Sequence, residues 1–351
     1  MQSPSPDHDV PAAVHAQYTP NMLSQNFMLE QDPLSLERIR SVLVRLEDTI
    51  IFDLIERAQF APNPRVYIRG AFPELKDSGF DGSWLEWFLK EIETFHGLSP
   101  FPLLNIALTL TTHSQSAQIH QVRHRIYRPV SQSGSQNLHS PDEYPFTSDL
   151  PAPVLKPLVF PKILYPNDIN VNSTILTFYT RDIVPRITKR ATLALSESKR
   201  SNGIVGDDEH EDDGNYGSTA TIDVEVLQAI SKRVHYGISS AVCPCHDKVA
   251  DVYSGKFVSE SKFSADPAAF IPHILKPNRQ ALEALITKPE VERKLLLRLR
   301  KKASTYAQEF NPDGDAIANS HVSGTAKIDV DGVVELYENY IIPLTKEVEV
   351  R

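Results

Sequence analysis

The chain has 351 residues, 41% of them apolar, enough for one large core or two ordinary ones. Its formal charge of −9 argues against a nucleic-acid-binding protein, which carries a basic surface. No run approaches the ~18–20 apolar residues of a membrane span, and Met1 to Pro20 is polar and carries prolines, unlike a secretory signal.

Residues 1–31 read as a disordered leader, and 32–351 as a single all-α domain. Asp32-Pro33 opens the first helix, with Asp as N-cap and Pro at the first helical position. Leu36, Ile39, Leu43, Leu46, Ile50 and Leu54 form its apolar face. Arg40 and Glu47 project at the edge of that face. They read either as a buried Arg–Glu pair or as an anion-binding arginine held by an acidic neighbour.

Phe72 to His96 reads as a turn and then a helix with Trp84, Leu85, Trp87, Phe88 and Ile92. After Gly97 the periodicity dissolves through a Ser/Thr/Gln/Pro-rich tract to Leu138, and a proline-rich connection runs from Pro151 to Pro166. Asn170 to Arg190 is predicted helical with a kink at Pro185. The acidic run Asp207 to Asp213 reads as a solvated loop.

Asn215 to Gly237, NYGSTATIDVEVLQAISKRVHYG, joins a glycine-containing turn to an amphipathic helix. Val226, Leu227, Ile230 and Val234 recur at the spacing of a buried face, and Arg233 sits at its margin. An arginine placed there needs an anionic partner, a protein carboxylate or a bound anion. Further helices are predicted over Lys256 to Phe263, Pro289 to Phe310 and Gly332 to Val350. The two cysteines, Cys243 and Cys245, are one residue apart and poorly placed to bridge, so the chain reads as reduced and cytoplasmic. Cys243-Pro244-Cys245-His246 is tighter than zinc-site spacing and has no second ligand pair, so no metal is assigned.

Five strings, IRSVLVRLEDTIIF, SPDEYPF, GSTATIDVEVLQAISKRVHYG, KFVSESKF and IIPLTKEVEV, occur in one order. In wording and order they resemble the fungal, eukaryotic-type chorismate mutases. The resemblance implies an all-α, multi-helix homodimer with long irregular connections that converts chorismate to prephenate. This pericyclic shift needs no nucleophile, metal or cofactor. An enzyme helps it by holding the substrate folded and by stabilising charge on the breaking ether oxygen.

By the resemblance, Arg40 and Arg233 each grip a substrate carboxylate, and Lys262 and Glu349 flank the ether oxygen. Glu292 binds the ring hydroxyl, and Thr345 adds a hydroxyl one helical turn from Glu349. Glu349 must be protonated to donate, so burial is expected to raise its pKa and activity to fall as pH rises. Lys288 stands where the family pattern has asparagine, an extra cation that can pair with Glu292 or with substrate. The resemblance also implies inhibition by tyrosine and activation by tryptophan at a dimer-interface site that includes Asn215, Gly217, Ser218 and Thr221. Without it, that segment reads as an N-capping turn. Arg123, Arg125 and Arg128 are candidates for the family's effector-binding arginines.

Two stretches depart from the family pattern, about 97–138 and 238–255. The second, ISSAVCPCHDKVADVYSG, adds 18 residues between Arg233 and Lys262. As continuous helix it would move them about 27 Å further apart, so it must loop out or the site is broken. Both stretches read as unspliced introns. The alternative reading is a catalytically impaired helical homologue or mis-spliced product. The family's last helix continues beyond the position of Arg351, so the helix presenting Glu349 is expected to fray.

Overall fold

The computed structural model describes residues 36–98, 144–151, 169–203, 211–239, 266–308 and 326–350. The predicted helix start at Asp32-Pro33, the helix over Lys256 to Phe263 and the cysteine pair fall outside these residues. So do Arg123, Arg125, Arg128 and most of both inserts. Every regular element among the described residues is helical, and no described helix is long and apolar enough to cross a membrane.

Helix α1 (Leu36–Arg57) buries Leu46, Ile50 and Leu54 as its periodicity predicts, with Ile51 and Ile55 beside them. After a 3₁₀ turn (Pro64–Tyr67) come α2 (Pro73–Asp77) and α3 (Trp84–Leu98). A reciprocal cap starts α3. Ser83 Oγ accepts from Glu86 N at 3.2 Å, and Glu86 Oε2 accepts from Ser83 N at 2.7 Å. Further along α3, buried Glu93 accepts the backbone N–H groups of Phe146 and Thr147 at 2.7 and 2.9 Å. This ties the end of the SPDEYPF string to the helix.

The predicted kink at Pro185 is a widened turn instead. Helix α4 (Asn172–Phe178) passes through a π turn (Tyr179–Ile183) into α5 (Val184–Ile187). Pro185 has no N–H and its ring conflicts with the carbonyl four residues back, which the wider turn accommodates. Helix α6 (Lys189–Ser201) then extends beyond the predicted end at Arg190. The acidic run is not a free loop where it is described. Asp213 accepts from Ala61 N, Asn63 Nδ2 and Asn215 N. These bonds outweigh burial and hold its pKa below the usual value.

Helix α7 (Tyr216–Ser239) is the axis of the molecule, packed by α1, α3 and α4. Val226, Leu227, Ile230 and Val234 are each 0% exposed. Two short helices that the periodicity reading missed follow, α8 (Pro267–Leu275) and α9 (Arg279–Ile286), capped by the Asp266 and Asn278 side chains. Helix α10 (Pro289–Tyr306) ends before the predicted Phe310. The last predicted helix is observed as α11 (Val330–Leu336), a second π turn (Tyr337–Ile341) ahead of Pro343, and α12 (Ile342–Glu349). Helix α12 packs along α7. Its end is held, contrary to the expected fraying, because Val350 is buried with Phe270, Ile274, Leu282 and Ile286.

Candidate active site

Two arginines are buried among the described residues, and their surroundings differ. Arg57 is saturated. Its Nε donates to Asp223 Oδ1 at 2.7 Å, Nη1 to the carbonyls of Phe60 and Ala61, and Nη2 to the Pro62 carbonyl and Tyr67 Oη. Tyr67 and Tyr179 each donate to Asp223 at 2.6 Å. This is a closed structural cluster.

Arg233, on α7, is 5% exposed, and its Nε and Nη1 have no hydrogen-bond partner. A buried guanidinium with unmade bonds is costly unless an anion meets it. The buried carboxylate of α1 is committed elsewhere. Glu47, 0% exposed, accepts from Arg298 Nε and Nη2 of α10 at 2.9 and 2.6 Å, with Lys302 Nζ at 3.3 Å. Glu47 therefore does pair with an arginine across helices, but with the half-exposed Arg298 rather than Arg40, so the pair is buried on the Glu47 side alone.

Helix α12 brings Thr345 and Glu349 against α7 one turn apart, Thr345 half-buried and Glu349 buried. Thr345 Oγ1 donates to the Ile341 carbonyl at 2.7 Å. Glu292, in the first turn of α10, pairs with Lys346 of α12 at 2.8 Å. Lys288, its other candidate partner, instead occupies the α10 N-cap position with an exposed side chain. Arg233, Glu292, Thr345 and Glu349 thus lie on, or are tied to, the α7–α12 pair. Arg40 is exposed near the start of α1, and no ion pair joins it to another described residue. Lys262 falls outside the described residues.

At the start of α7, Asn215 and Ser218 are exposed, and a Cβ at Gly217 would meet nothing within 4 Å. Thr221 Oγ1 donates to the Gly217 carbonyl at 2.9 Å. The first residues of α7 are also bound to a neighbouring aromatic group, since Trp84 Nε1 donates to the Tyr216 carbonyl and Phe72 meets the Tyr216 ring edge-on. A surface groove of about 310 Å³ lies elsewhere, between Pro62, Pro64, Tyr67, Pro185, Lys189 and Glu211. It contains none of the predicted site residues, and the Tyr67 hydroxyl in its wall is already engaged by Arg57 and Asp223. It is therefore a poorer candidate than the Arg233 region.

Among the described residues no group of acidic, histidine or cysteine side chains has a metal-binding arrangement. No protein-family model matches the chain. The chorismate mutase of Emericella nidulans is 37% identical over 319 residues, covering 90% of each chain. The crystal structure of the Aro7p chorismate mutase from Candida albicans, in complex with L-Trp, is 32% identical and covers 93% of each chain with a TM-score of 0.61. The structure of AtCM1 with tyrosine bound in its allosteric site is also 32% identical, covering 91% of this chain and 95% of its own at a TM-score of 0.58. With this identity sustained over nearly its whole length, the chain belongs to the chorismate mutase family.

Proposed function

We propose that this protein is an isomerase that rearranges chorismate to prephenate in phenylalanine and tyrosine biosynthesis. The observation that carries the reading is Arg233, a buried guanidinium with two unmade bonds on the helix packed by Thr345 and Glu349. In this reading Arg233 and Arg40 each take a substrate carboxylate, for which the planar guanidinium fork suits two parallel bonds. Glu349 and Lys262 flank the ether oxygen. Glu292 binds the ring hydroxyl and is positioned by Lys346. Thr345 offers its hydroxyl near a carboxylate. No cofactor enters, because bonds form and break within one molecule and the protein supplies only geometry and charge.

The enzyme acts as a cytoplasmic homodimer in this reading. Tyrosine inhibits it and tryptophan activates it through the turn holding Asn215, Gly217, Ser218 and Thr221. The structures of relatives with L-Trp or tyrosine bound support that assignment. So does the start of α7, whose positive dipole end suits an amino-acid carboxylate.

The test is loss of chorismate absorbance with the purified protein. Arg233→Ala is expected to lower kcat/KM by at least ~100-fold, the cost of removing a charged bidentate contact. Full activity of Arg233→Ala refutes its role.

A further inference from the structure

Tyr337 opens the second π turn and is 0% exposed, yet its hydroxyl has no hydrogen-bond partner. After burial, the largest influence on its phenol is the charge of Arg233, ahead of Glu47, Asp48 and Arg298. The second π turn packs against α7, the helix that carries Arg233, and Glu47 is already engaged by Arg298 and Lys302. Three unmade donors lie on these two packed elements, Arg233 Nε, Arg233 Nη1 and the Tyr337 O–H. Only an acceptor satisfies all three, and a carboxylate, with two oxygens and about four acceptor sites, suits such a set.

The molecule contains the same device with its acceptor built in. Tyr179 opens the first π turn six residues before Pro185, as Tyr337 opens the second six residues before Pro343. Tyr179 donates to Asp223 at 2.6 Å, and Arg57 donates to the same carboxylate at 2.7 Å. Around Arg57 the arginine–carboxylate–tyrosine triad is complete within the chain. Around Arg233 the arginine and tyrosine are present, and among the described residues no carboxylate bonds Arg233 Nε, Arg233 Nη1 or the Tyr337 hydroxyl. We propose that Tyr337 is a substrate-binding residue, donating its phenolic hydrogen to the chorismate carboxylate that Arg233 holds. The proposal rests on the chorismate mutase reading and adds a residue to it.

Tyr337→Phe tests this through two readouts that move in opposite directions. Removing an unbonded buried hydroxyl leaves the thermal midpoint of the unliganded protein unchanged or raised. It also raises KM for chorismate about tenfold, the worth of a bond to a charged group, while kcat changes by less than about threefold, as expected for uniform binding. Tyr179→Phe is the control, and it lowers the midpoint because Asp223 loses a donor. A lowered midpoint in Tyr337→Phe overturns the proposal, because the hydroxyl is then bonded within the protein. An unchanged KM overturns it as well. Malonate serves as a dicarboxylate probe independent of turnover. It should stabilise the wild type in a thermal-shift assay, stabilise Tyr337→Phe less, and have no effect on Arg233→Ala. If the wild type does not consume chorismate but this malonate order holds, the carboxylate site stands and the chorismate reading fails. Equal malonate shifts in wild type and Tyr337→Phe remove Tyr337 from the site.

Discussion

Asp53 on α1 and His235 on α7 are ionisable side chains that packing holds in their neutral forms, and they tilt stability in opposite directions with pH. Burial, then the charges of Glu225 and Glu56, push the Asp53 carboxyl up to about 7 from 3.8. Between those values the native state keeps a proton that the unfolded chain releases, so stability falls as pH rises from about 4 to about 7. Burial pushes His235 down from 6.5 to about 4, against the bond to the Ser231 carbonyl. Its Nε2 accepts from Val171 N at 3.1 Å, its Nδ1 faces the Ser231 carbonyl at 2.9 Å, and its ring stacks on Tyr144 at 4.1 Å. This arrangement requires the Nδ1–H tautomer, and protonating Nε2 would set two donors against each other. The unfolded chain takes up that proton first, so stability is lost as pH falls from 6.5 to about 4. Melting curves between pH 4 and 8 separate the two. Asp53→Asn should raise the midpoint at pH 8 and leave it unchanged at pH 4, whereas His235→Gln should flatten the loss on the acid side. An equal gain for Asp53→Asn at every pH would assign its effect to packing instead of charge.

At the scale of elements, the Arg57 cluster fastens the end of α1 to α7. Arg57 caps the carbonyls of Phe60, Ala61 and Pro62, where the chain leaves the helix, while Asp223 anchors the guanidinium from α7. Asp223→Asn leaves that charge buried without its counter-ion and should cost about 3–5 kcal/mol in denaturant unfolding. A loss below about 1 kcal/mol would mean that the pair behaves like an exposed one. None of this was legible locally. Arg57 looks like Arg40 or Arg45 along α1, and its partner lies 166 residues away. Arg233 was legible because Ile230 and Val234 of the buried stripe stand on either side of it. Glu47 was recognised as a residue needing a partner, but the choice of Arg298 depends on how α10 crosses α1. Helices α8 and α9 carried signals that were passed over. Asp266-Pro267 repeats the start signal of Asp32-Pro33, and Phe270, Ile274, Leu282 and Ile286 fall at multiples of four. Pro272 and the break at Lys276 to Asn278 divide that period between two helices too short to announce themselves. Tyr337 was hidden differently. Its burial follows from periodicity, but the isolation of its hydroxyl is a property of the packed state.

For the whole molecule, the decisive question is how the chain passes between Arg233 and Lys262. Helix α7 continues through Ser239, into the first residues of the extra segment. Unbroken helix from there would carry Lys262 away from the pocket by about 27 Å. The described chain resumes at Asp266, four residues after Lys262, and α8 packs with Val350, the neighbour of Glu349. The described chain thus leaves on the helix that carries Arg233 and resumes beside the helix that carries Glu349. Loop closure grows only slowly with length, so an insertion of 18 residues adds little entropic cost if it leaves the surrounding packing intact. The protein lacking Ile238 to Gly255 should therefore rearrange chorismate with KM within about threefold of the full chain, and unfold at an equal or higher temperature. Turnover by the shortened protein alone would mean that the segment breaks the site, and that the sequence as written is a mis-spliced product of a functional gene. Mature transcript retaining residues 238–255 would remove the intron reading.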